Sequence, residues 1–276
     1  MIACAVLGIG VYGPGLTDWP AARAVLSGAA EYVRADLSYD RAAPPSGLLP
    51  AAERRRATPS TRIALTAAQQ ALTHAGLDAK SVPAVFGSSS GNPDIIHDIC
   101  AMLAAGDYQI SPTKFHNSVH NAASGYYSIA VASHRAVTSL CAFDGTATAA
   151  LLETAVQAIT AQEPVLMVCY DLPYPFPLSE ARPTIDAWSL ALVLAPPESS
   201  AAIARLTLTD GAVAGADVYA DAADTALADP QLESIRRGNP TARMLPLFAA
   251  LSQPRACEIV LRQGNGRALR VATAGC

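Results

Sequence analysis

Residues 137–170, VTSLCAFDGTATAALLETAVQAITAQEPVLMVCY, carry the pattern that decides the fold. A β-branched apolar run (137–142) leads into a short turn, an alanine-rich helical pattern (146–161) follows, and a continuous apolar strand (164–170) closes the stretch. A helix between two such strands predicts a crossover connection, with both strands parallel in one sheet. The turn has the strand–turn–helix layout on which many α/β enzymes mount a nucleophile, yet it carries Asp144, Gly145 and Thr146 and no obvious nucleophile.

The segments around this stretch extend the α/β pattern in both directions. Three of them have helical periodicity: residues 60–75, 94–105 and 118–136. Four are apolar strand patterns: residues 2–9, 82–87, 188–195 and 203–211. We expect the last two strands at the edge of the same sheet, and we expect the chain to end in a short helix (242–252) and a hairpin (258–273) that turns at residues 264–266.

Composition excludes several classes of partner. The chain has 276 residues, a formal net charge of -4 and 51% hydrophobic residues. Its basic residues are dispersed, so no clustered positive face is predicted for nucleic acid or an anionic membrane. Only 15% of the residues are charged and the mean hydropathy is +0.25, which indicates a surface partly covered by a partner; a codon bias toward Ala, Arg and Pro is the equally open alternative.

The cysteines and the N-terminus point to the cytoplasm. The six cysteines are widely spaced, with no C-x-x-C pair and no histidine at metal-ligand spacing, so we expect free buried thiols and no metal site. In particular, Cys141 and Cys169 lie in apolar strands and are predicted to be inert core thiols. The first residues, MIACAVLGIGVYGPG, lack a basic segment and predict a core strand; no apolar run reaches membrane-spanning length.

Several motifs in one order carry a family resemblance. They are GSSSG (87–91), ISP (110–112), SVHNAASGYYSI (118–129), the turn CAFDGTATAA (141–150) and PVLMVCYDLP (164–173). This order and spacing resemble the N-terminal half of a β-ketoacyl-ACP synthase. The resemblance implies a thiolase-like α/β fold, with residues 1–210 as the synthase-like domain and residues 211–276 as a reduced C-terminal remnant of a helix and a β-hairpin.

Departures from the family pattern imply a chain that is not an enzyme on its own. Matched to the family, the catalytic cysteine position falls on Gly145, or on Asp144 if the register slips by one, and neither can be acylated as a thiolate can. The two catalytic histidines of the family come from its C-terminal half, whereas the last histidine here is His134.

A synthase-like chain without these groups resembles a chain length factor, the non-catalytic subunit that pairs with an active ketosynthase. Its short form resembles the chain-length-factor-like proteins of aryl polyene clusters. The implied partner is a full-length β-ketoacyl-ACP synthase, through which the acyl carrier protein would bind. No cofactor is expected for this chain. The implied role is to shape the end of the acyl tunnel in polyketide or fatty-acid-type chain elongation.

The resemblance also assigns roles to particular residues. The dimer interface would contain Thr138, Ser139, Leu140 and Cys141 on the strand, with His120 and Asn121 nearby; the alternative for the strand is an ordinary interior position. Bulky side chains on one helix would form the floor of the tunnel, namely Ile95, Ile96 and Ile99. The alternative is that this helix buries its apolar face in the chain's own core.

Two other functions stay open at this point. A self-sufficient acyltransferase or hydrolase would use Ser118, Ser124 or Cys141, although residues two apart on a helix, such as Ser118 and His120, point to different sides. A pure scaffold would stabilise a ketosynthase without affecting product length. We expect Asn117 or Ser118 near a helix cap, Asp144 in a structural role at a helix N-terminus, and GSSSG as a loop packed beneath the turn.

Overall fold

The computed structural model describes residues 1–35, 48–212, 224–264 and 267–275. These residues form one mixed sheet with eight strands: β1 (Ile2–Tyr12), β2 (Ala84–Gly87), β3 (Val137–Leu140), β4 (Val165–Asp171), β5 (Trp188–Ala195), β6 (Ala204–Ala212), β7 (Cys257–Gly264) and β8 (Arg267–Gly275). Across the sheet the order is β3-β2-β4-β5-β1-β6-β8-β7. The predicted α/β class is confirmed.

Helices cover both faces of the sheet. They are α1 (Trp19–Leu26), α2 (Ala51–Arg56), α3 (Pro59–Ala75), α4 (Pro93–Ala104), α5 (Pro112–Asn117), α6 (Ala122–Ala130), α7 (Thr146–Ala161), α8 (Leu178–Ala181), α9 (Pro230–Gly238) and α10 (Leu245–Leu251). In the described part of the chain, no helix is both long and apolar enough to cross a membrane. The helix predicted over residues 60–75 is confirmed as α3, capped by Thr58 and ended by the left-handed Gly76.

The predicted strand–helix–strand unit is present. Strand β2 pairs in parallel with β3 on one side and with β4 on the other, so α7 connects two parallel strands across β2. The prediction that residues 188–195 and 203–211 lie at the sheet edge is wrong. Strand β5 lies in the centre between β4 and β1, and β6 lies between β1 and β8. All eight residues of β5 are buried, which is the pattern of a strand covered on both faces.

Two apolar cores lie on opposite faces of the sheet. One face packs against α3 and α6, and the other packs against α1, α7 and α10. Strand β4 alternates between them: Met167 faces the α7 core and Val168 the α3 core. Helix α3 approaches β1 very closely, since a Cβ on Gly10 would lie 2.1 Å from the carbonyl oxygen of Ala67.

The segment 118–136 is not one helix as predicted. Residues 118–121 form a turn between α5 and α6, and α6 is over before Ala132, whose left-handed backbone (φ 49°) cannot continue a helix. The terminal hairpin is present as β7 and β8, although residues 265–266 of its turn lie outside the described residues. It joins the main sheet through the pairing of β8 with β6.

Candidate functional site

The turn after β3 has a strained apex at Phe143. This residue has a left-handed backbone (φ 52°), which is an outlier for a bulky side chain and marks the sharpest point of a strand-to-helix turn. Thr146 holds the turn together, because its Oγ1 accepts a hydrogen bond from the Ala142 amide (2.9 Å) and donates one to the Phe143 carbonyl (2.6 Å). The Phe143 ring is 62% exposed.

Ion pairs occupy the next position of the turn. The Asp144 carboxylate lies 2.5 Å from Nη2 of Arg182 and 3.5 Å from Nη2 of Arg243. The Arg182 guanidinium also lies over the Phe143 ring, 3.8 Å from its centroid. Asp144 thus has the expected structural role, but two arginines from distant segments stabilise it, whereas the prediction invoked the helix terminus.

The third position, Gly145, is closed by the terminal hairpin. A Cβ built on Gly145 would lie 2.1 Å from the backbone oxygen of Gln263 in β7, a distance that real Cβ atoms do not show. No residue with a side chain fits there unless β7 moves. The turn therefore presents Phe143, Asp144 and Gly145, none of which offers a thiol or a hydroxyl for acylation.

A buried carboxylate that the sequence interpretation missed lies beside this turn. Asp171 ends β4 and is 1% exposed. Its Oδ1 accepts hydrogen bonds from the Ser89 amide and hydroxyl (2.8 Å each), and its Oδ2 accepts one from Thr241 Oγ1 (2.9 Å). Burial raises the pKa of Asp171, and the hydrogen bonds from Ser89 and Thr241 partly oppose that rise.

The serine loop therefore has a specific task. Its three hydroxyls, on Ser88, Ser89 and Ser90, all donate to Oδ1 of Asp171. A lone Asp at the end of an apolar strand, in a chain that also has a serine-rich loop after a parallel strand, was the available signal. The carboxyl ends of β2 and β4 are neighbours because these strands pair in parallel.

The strand predicted to form the dimer interface lies at the sheet edge. Thr138, Ser139 and Leu140 are half-buried, and no strand pairs with the outer side of β3 among the residues described. The amides of Ala84 and Ser88 bond to the carbonyls of Ala136 and Leu140. Backbone groups alternate in direction along a strand, so those of Ser139 point away from the sheet.

Cys141 is not the core thiol that we predicted. It lies just after β3, is exposed, and its Sγ donates a weak hydrogen bond to the Ser89 carbonyl (3.6 Å). The strand ends at Leu140, two residues before the end of the predicted strand (137–142), so Cys141 lies outside the sheet. Cys169 is buried as predicted, and burial raises the pKa of its thiol.

Helix α6 and the turn before it stand beside this edge. His120 Nε2 lies 2.9 Å from the Ser88 carbonyl, and Asn121 is exposed. Ser124 on α6 donates to the Asn121 carbonyl (2.9 Å), and its Oγ lies 2.8 Å from that of Ser139 on β3. The structure thus brings the turn, the helix and the edge strand together.

Ser118 lies at a helix cap as expected, but it caps the C-terminus of α5 and not the start of the predicted helix over residues 118–136. Asn117 is the last residue of α5 and is buried, while Ser118 closes α5 by donating to the Phe115 carbonyl (2.8 Å). Helix α6 begins after Asn121 and has no side-chain cap. The polar side chains serve the end of one helix because the chain turns between two short helices.

Helix α4 carries the three isoleucines and does not bury its apolar face in the core of the chain. Pro93 is its one buried residue. Ile95 and Ile99 are half-buried and Ile96 is exposed. Lys114 on α5 pairs with Asp98 on α4 at 2.7 Å, which holds the two helices together.

Residues 93–143, the segment that contains β3 and the turn after it, expose many large apolar side chains. These are Ile96, Leu103, Tyr108, Phe115, Val119, Ile129 and Phe143. We call the outer side of β3 together with these side chains, His120 and Cys141 the open face. Exposed apolar side chains in a segment that contains an unpaired edge strand are typical of a protein–protein interface.

The residues of the rival acyltransferase hypothesis do not form a catalytic pair. Ser118, Ser124 and Cys141 each donate to a backbone carbonyl, and His120 bonds to the Ser88 carbonyl. Within the described ranges, none of the three hydroxyl or thiol groups bonds to a histidine, as an activated nucleophile would. The same ranges contain no group of three or more His, Cys, Asp or Glu that could hold a metal ion.

Solved structures with the same architecture include ketosynthases and ketosynthase/chain length factor complexes. One is a ketosynthase (ApeO) in complex with its chain length factor (ApeC) from Xenorhabdus doucetiae, with a TM-score of 0.71 and 18% identity over 99% of this chain and 100% of that chain. The ishigamide ketosynthase/chain length factor matches with a TM-score of 0.72 and 13% identity over 100% and 99%. A β-ketoacyl synthase from Burkholderia phymatum matches with a TM-score of 0.68 and 12% identity over 100% of both chains. The fold is therefore that of the thiolase-like ketosynthases.

The sequence supports the same assignment independently. The family profile described as "Beta-ketoacyl synthase, N-terminal domain" matches residues 29–244, and the chain belongs to the β-ketoacyl synthase family. A comparison with curated proteins finds no match. The resemblance inferred from motif order is confirmed.

Proposed function

We propose that this chain is a chain length factor, a non-catalytic ketosynthase-like subunit. It pairs through its open face with a complete β-ketoacyl-ACP synthase in the cytoplasm. The partner supplies the nucleophile, the histidines and the acyl carrier protein dock. This chain completes the dimer and limits chain length in aryl polyene or related polyketide and fatty-acid-type elongation.

The difference between the two sheet edges carries the proposal. On β7 the outer side is covered, because Thr225 exchanges hydrogen bonds with Val260 (2.8 and 2.9 Å) and the Arg262 amide donates to Asp224 (2.6 Å). On β3 no such cover exists in the described part of the chain. Monomeric proteins protect their sheet edges, so an edge left bare and bordered by apolar side chains favours a partner strand.

The geometry of the turn supports the non-catalytic role. Gly145 and Asp144 remain the positions matched to the family nucleophile, and the strained backbone adds Phe143 as a third candidate. All three alternatives lack a thiol. Under this proposal the partner holds the acyl group. The similar structure from Xenorhabdus doucetiae, a ketosynthase in complex with its chain length factor, supports a pair of this kind.

Co-expression with a complete ketosynthase encoded beside this chain tests the pairing. The variant Ser139→Pro removes the outward amide of β3 and spares the pairing with β2, so we expect a folded chain that no longer co-purifies with the synthase. Thr138→Pro is the matched control, since its backbone faces β2 and its loss should unfold the edge itself. Unchanged co-purification of the Ser139→Pro chain would contradict the proposed interface.

Product length tests the predicted tunnel residues. Ile95→Ala and Ile96→Ala remove volume from α4, so the pair should release longer polyenes, measured by mass spectrometry of the products. Ile203→Ala removes the same volume from an exposed isoleucine just before β6 and should leave product length unchanged. If all three variants change only the yield of complex, the chain is a scaffold.

The acyltransferase hypothesis predicts a different result. Incubation of the isolated chain with an acyl thioester would then add an acyl group at Ser118, Ser124 or Cys141. Under our proposal the isolated chain gains no acyl group at these residues, and condensation requires the pair. Stoichiometric acylation followed by turnover of the isolated chain would overturn the proposal.

A further inference from the structure

Asp171 lies where three separate segments meet. It ends β4, it faces the loop of residues 88–91 after β2, and it reaches Thr241 just before α10. Five hydrogen bonds end on its carboxylate: from the Ser88, Ser89 and Ser90 hydroxyls, the Ser89 amide and the Thr241 hydroxyl. Nothing in the proposed elongation chemistry uses this buried group.

The donors around Asp171 have fixed directions. Ser88 Oγ accepts hydrogen bonds from the amides of Ser90 (3.3 Å) and Gly91 (2.8 Å), so its own proton is free to point at Asp171. The Ser89 amide can only donate. The loop therefore needs an acceptor at the position of Oδ1, and the chain supplies it from β4.

The other side of the same loop faces the open face. The Ser88 carbonyl bonds to His120 Nε2 at 2.9 Å, and the Ser89 carbonyl accepts from Cys141 Sγ at 3.6 Å. The Ser88 amide also donates to the Leu140 carbonyl at the end of β3 (3.3 Å). Three residues predicted for the dimer interface, His120, Leu140 and Cys141, thus bond to the backbone of Ser88 and Ser89. The side chains of these two serines donate to Asp171.

We propose that Asp171 is a positioning residue: from the interior it sets the conformation of residues 88–91, and through their carbonyls it sets His120 and Cys141 on the open face. The first part concerns the isolated chain alone. The second part, that these two residues meet the partner synthase, rests on the proposed function.

Three substitutions separate the positioning role from general stability. Asp171→Leu removes every acceptor while keeping the branched shape and the number of heavy atoms, and it leaves the half-buried Ser89 amide without its acceptor. Asp171→Asn keeps a carbonyl oxygen for Ser89 and turns its NH₂ toward the Thr241 hydroxyl, which can accept, so it should rescue the loop. Thr241→Val removes a bond to the same carboxylate on the side away from the loop.

The readout is the alkylation rate of Cys141 relative to Cys100, both exposed, in one folded molecule. Cys100 lies on α4, outside the loop, and serves as the internal reference. Asp171→Leu should raise the ratio about three-fold or more, because a freed loop withdraws the Ser89 carbonyl from the thiol. Asp171→Asn and Thr241→Val should keep the wild-type ratio. If Asp171→Leu does not fold, Ser89→Ala gives the same test with a smaller rise.

The outcomes distinguish the two proposals. An unchanged alkylation ratio in Asp171→Leu or in Ser89→Ala would overturn the positioning role. A rise in Thr241→Val equal to that in Asp171→Leu would overturn it as well. Both conclusions hold even if the wild-type chain binds a synthase. A changed ratio supports the role in the isolated chain. In that case, about ten-fold weaker binding of the synthase by Asp171→Leu than by Asp171→Asn supports the interface part, and equal binding overturns it.

Discussion

Replacing Gly145 by alanine tests how firmly the terminal hairpin closes the turn. The added Cβ would lie 2.1 Å from the Gln263 carbonyl oxygen, and since such contacts do not fall below 3.0 Å, β7 or the turn must shift by about 0.9 Å. Overpacking of this kind costs about 1–3 kcal/mol. The backbone of Gly145 (φ -88°, ψ 5°) is accessible to alanine, so the lost entropy of the unfolded chain offsets about 0.4–1 kcal/mol.

Between the midpoints of the two ranges, the net expectation is a free energy of unfolding lower by about 1.3 kcal/mol, measured by urea denaturation of the purified chain. The matched control is Gly125→Ala in α6, where a Cβ meets no atom within 4 Å. That variant should be more stable than wild type by about 0.5–1 kcal/mol, since glycine weakens a helix interior. Equal or greater stability of Gly145→Ala would refute the closed turn. Under the same reasoning Gly145→Cys loses stability and gains no acyl uptake from a thioester.

Three further results are expected. Burial raises the pKa of Asp171 above the unfolded value of about 3.9. The contribution of this carboxyl to the free energy of unfolding is therefore complete below about pH 3.9 and falls as the pH rises toward the folded pKa. Asp171→Asn should abolish this pH dependence in urea titrations between pH 4 and 7. Arg236→Ala removes the nearer of two arginines from the buried Asp224 carboxylate, at 3.1 Å, and leaves Arg243 at 3.5 Å, so it should cost about 3 kcal/mol in the same assay, the low end for a broken buried pair. The surface variant Arg270→Ala should cost under about 1 kcal/mol. Gly125→Leu should stabilise the isolated chain, because leucine has the higher helix propensity. It should also abolish co-purification with the synthase, because the exposed side of α6 at Gly125 would no longer let a neighbouring backbone approach. Intact co-purification would place α6 outside the interface.

Local sequence patterns predicted most helices and strands correctly, but they did not predict which strands lie next to each other in the sheet. The helix over residues 146–161 was predicted with its observed bounds, because the residue pattern within this segment marks both the start and the end of the alanine-rich run. The position of β5 was wrong, although its unbroken apolar run is the pattern of a central strand. Sequence order placed it late in the chain, and only the pairing of β1 with β5 brings it to the middle of the sheet.

The candidate site divides in the same way. The sequence shows directly that residues 143–145 carry no thiol, that no histidine follows His134, and that the motif order indicates the family. The sequence did not show which residue forms the strained apex of the turn. The left-handed backbone of Phe143 depends on how the chain connects β3 to α7 in the folded protein. The exposure of Cys141 was missed for a related reason, since the strand ends where pairing with β2 ends.

The sequence by itself determined most of the strands and helices, the family to which the chain belongs, and the residue types at positions 143–145. These properties depend on residue type and on spacing within one segment. The tertiary structure alone decided that Gly145 is closed by Gln263, that Asp171 joins the serine loop to Thr241, and that, within the residues described, no strand pairs with the outer side of β3 while that of β7 is covered. Each of these depends on contacts between residues far apart in the chain, and periodicity within a segment carries no information about them.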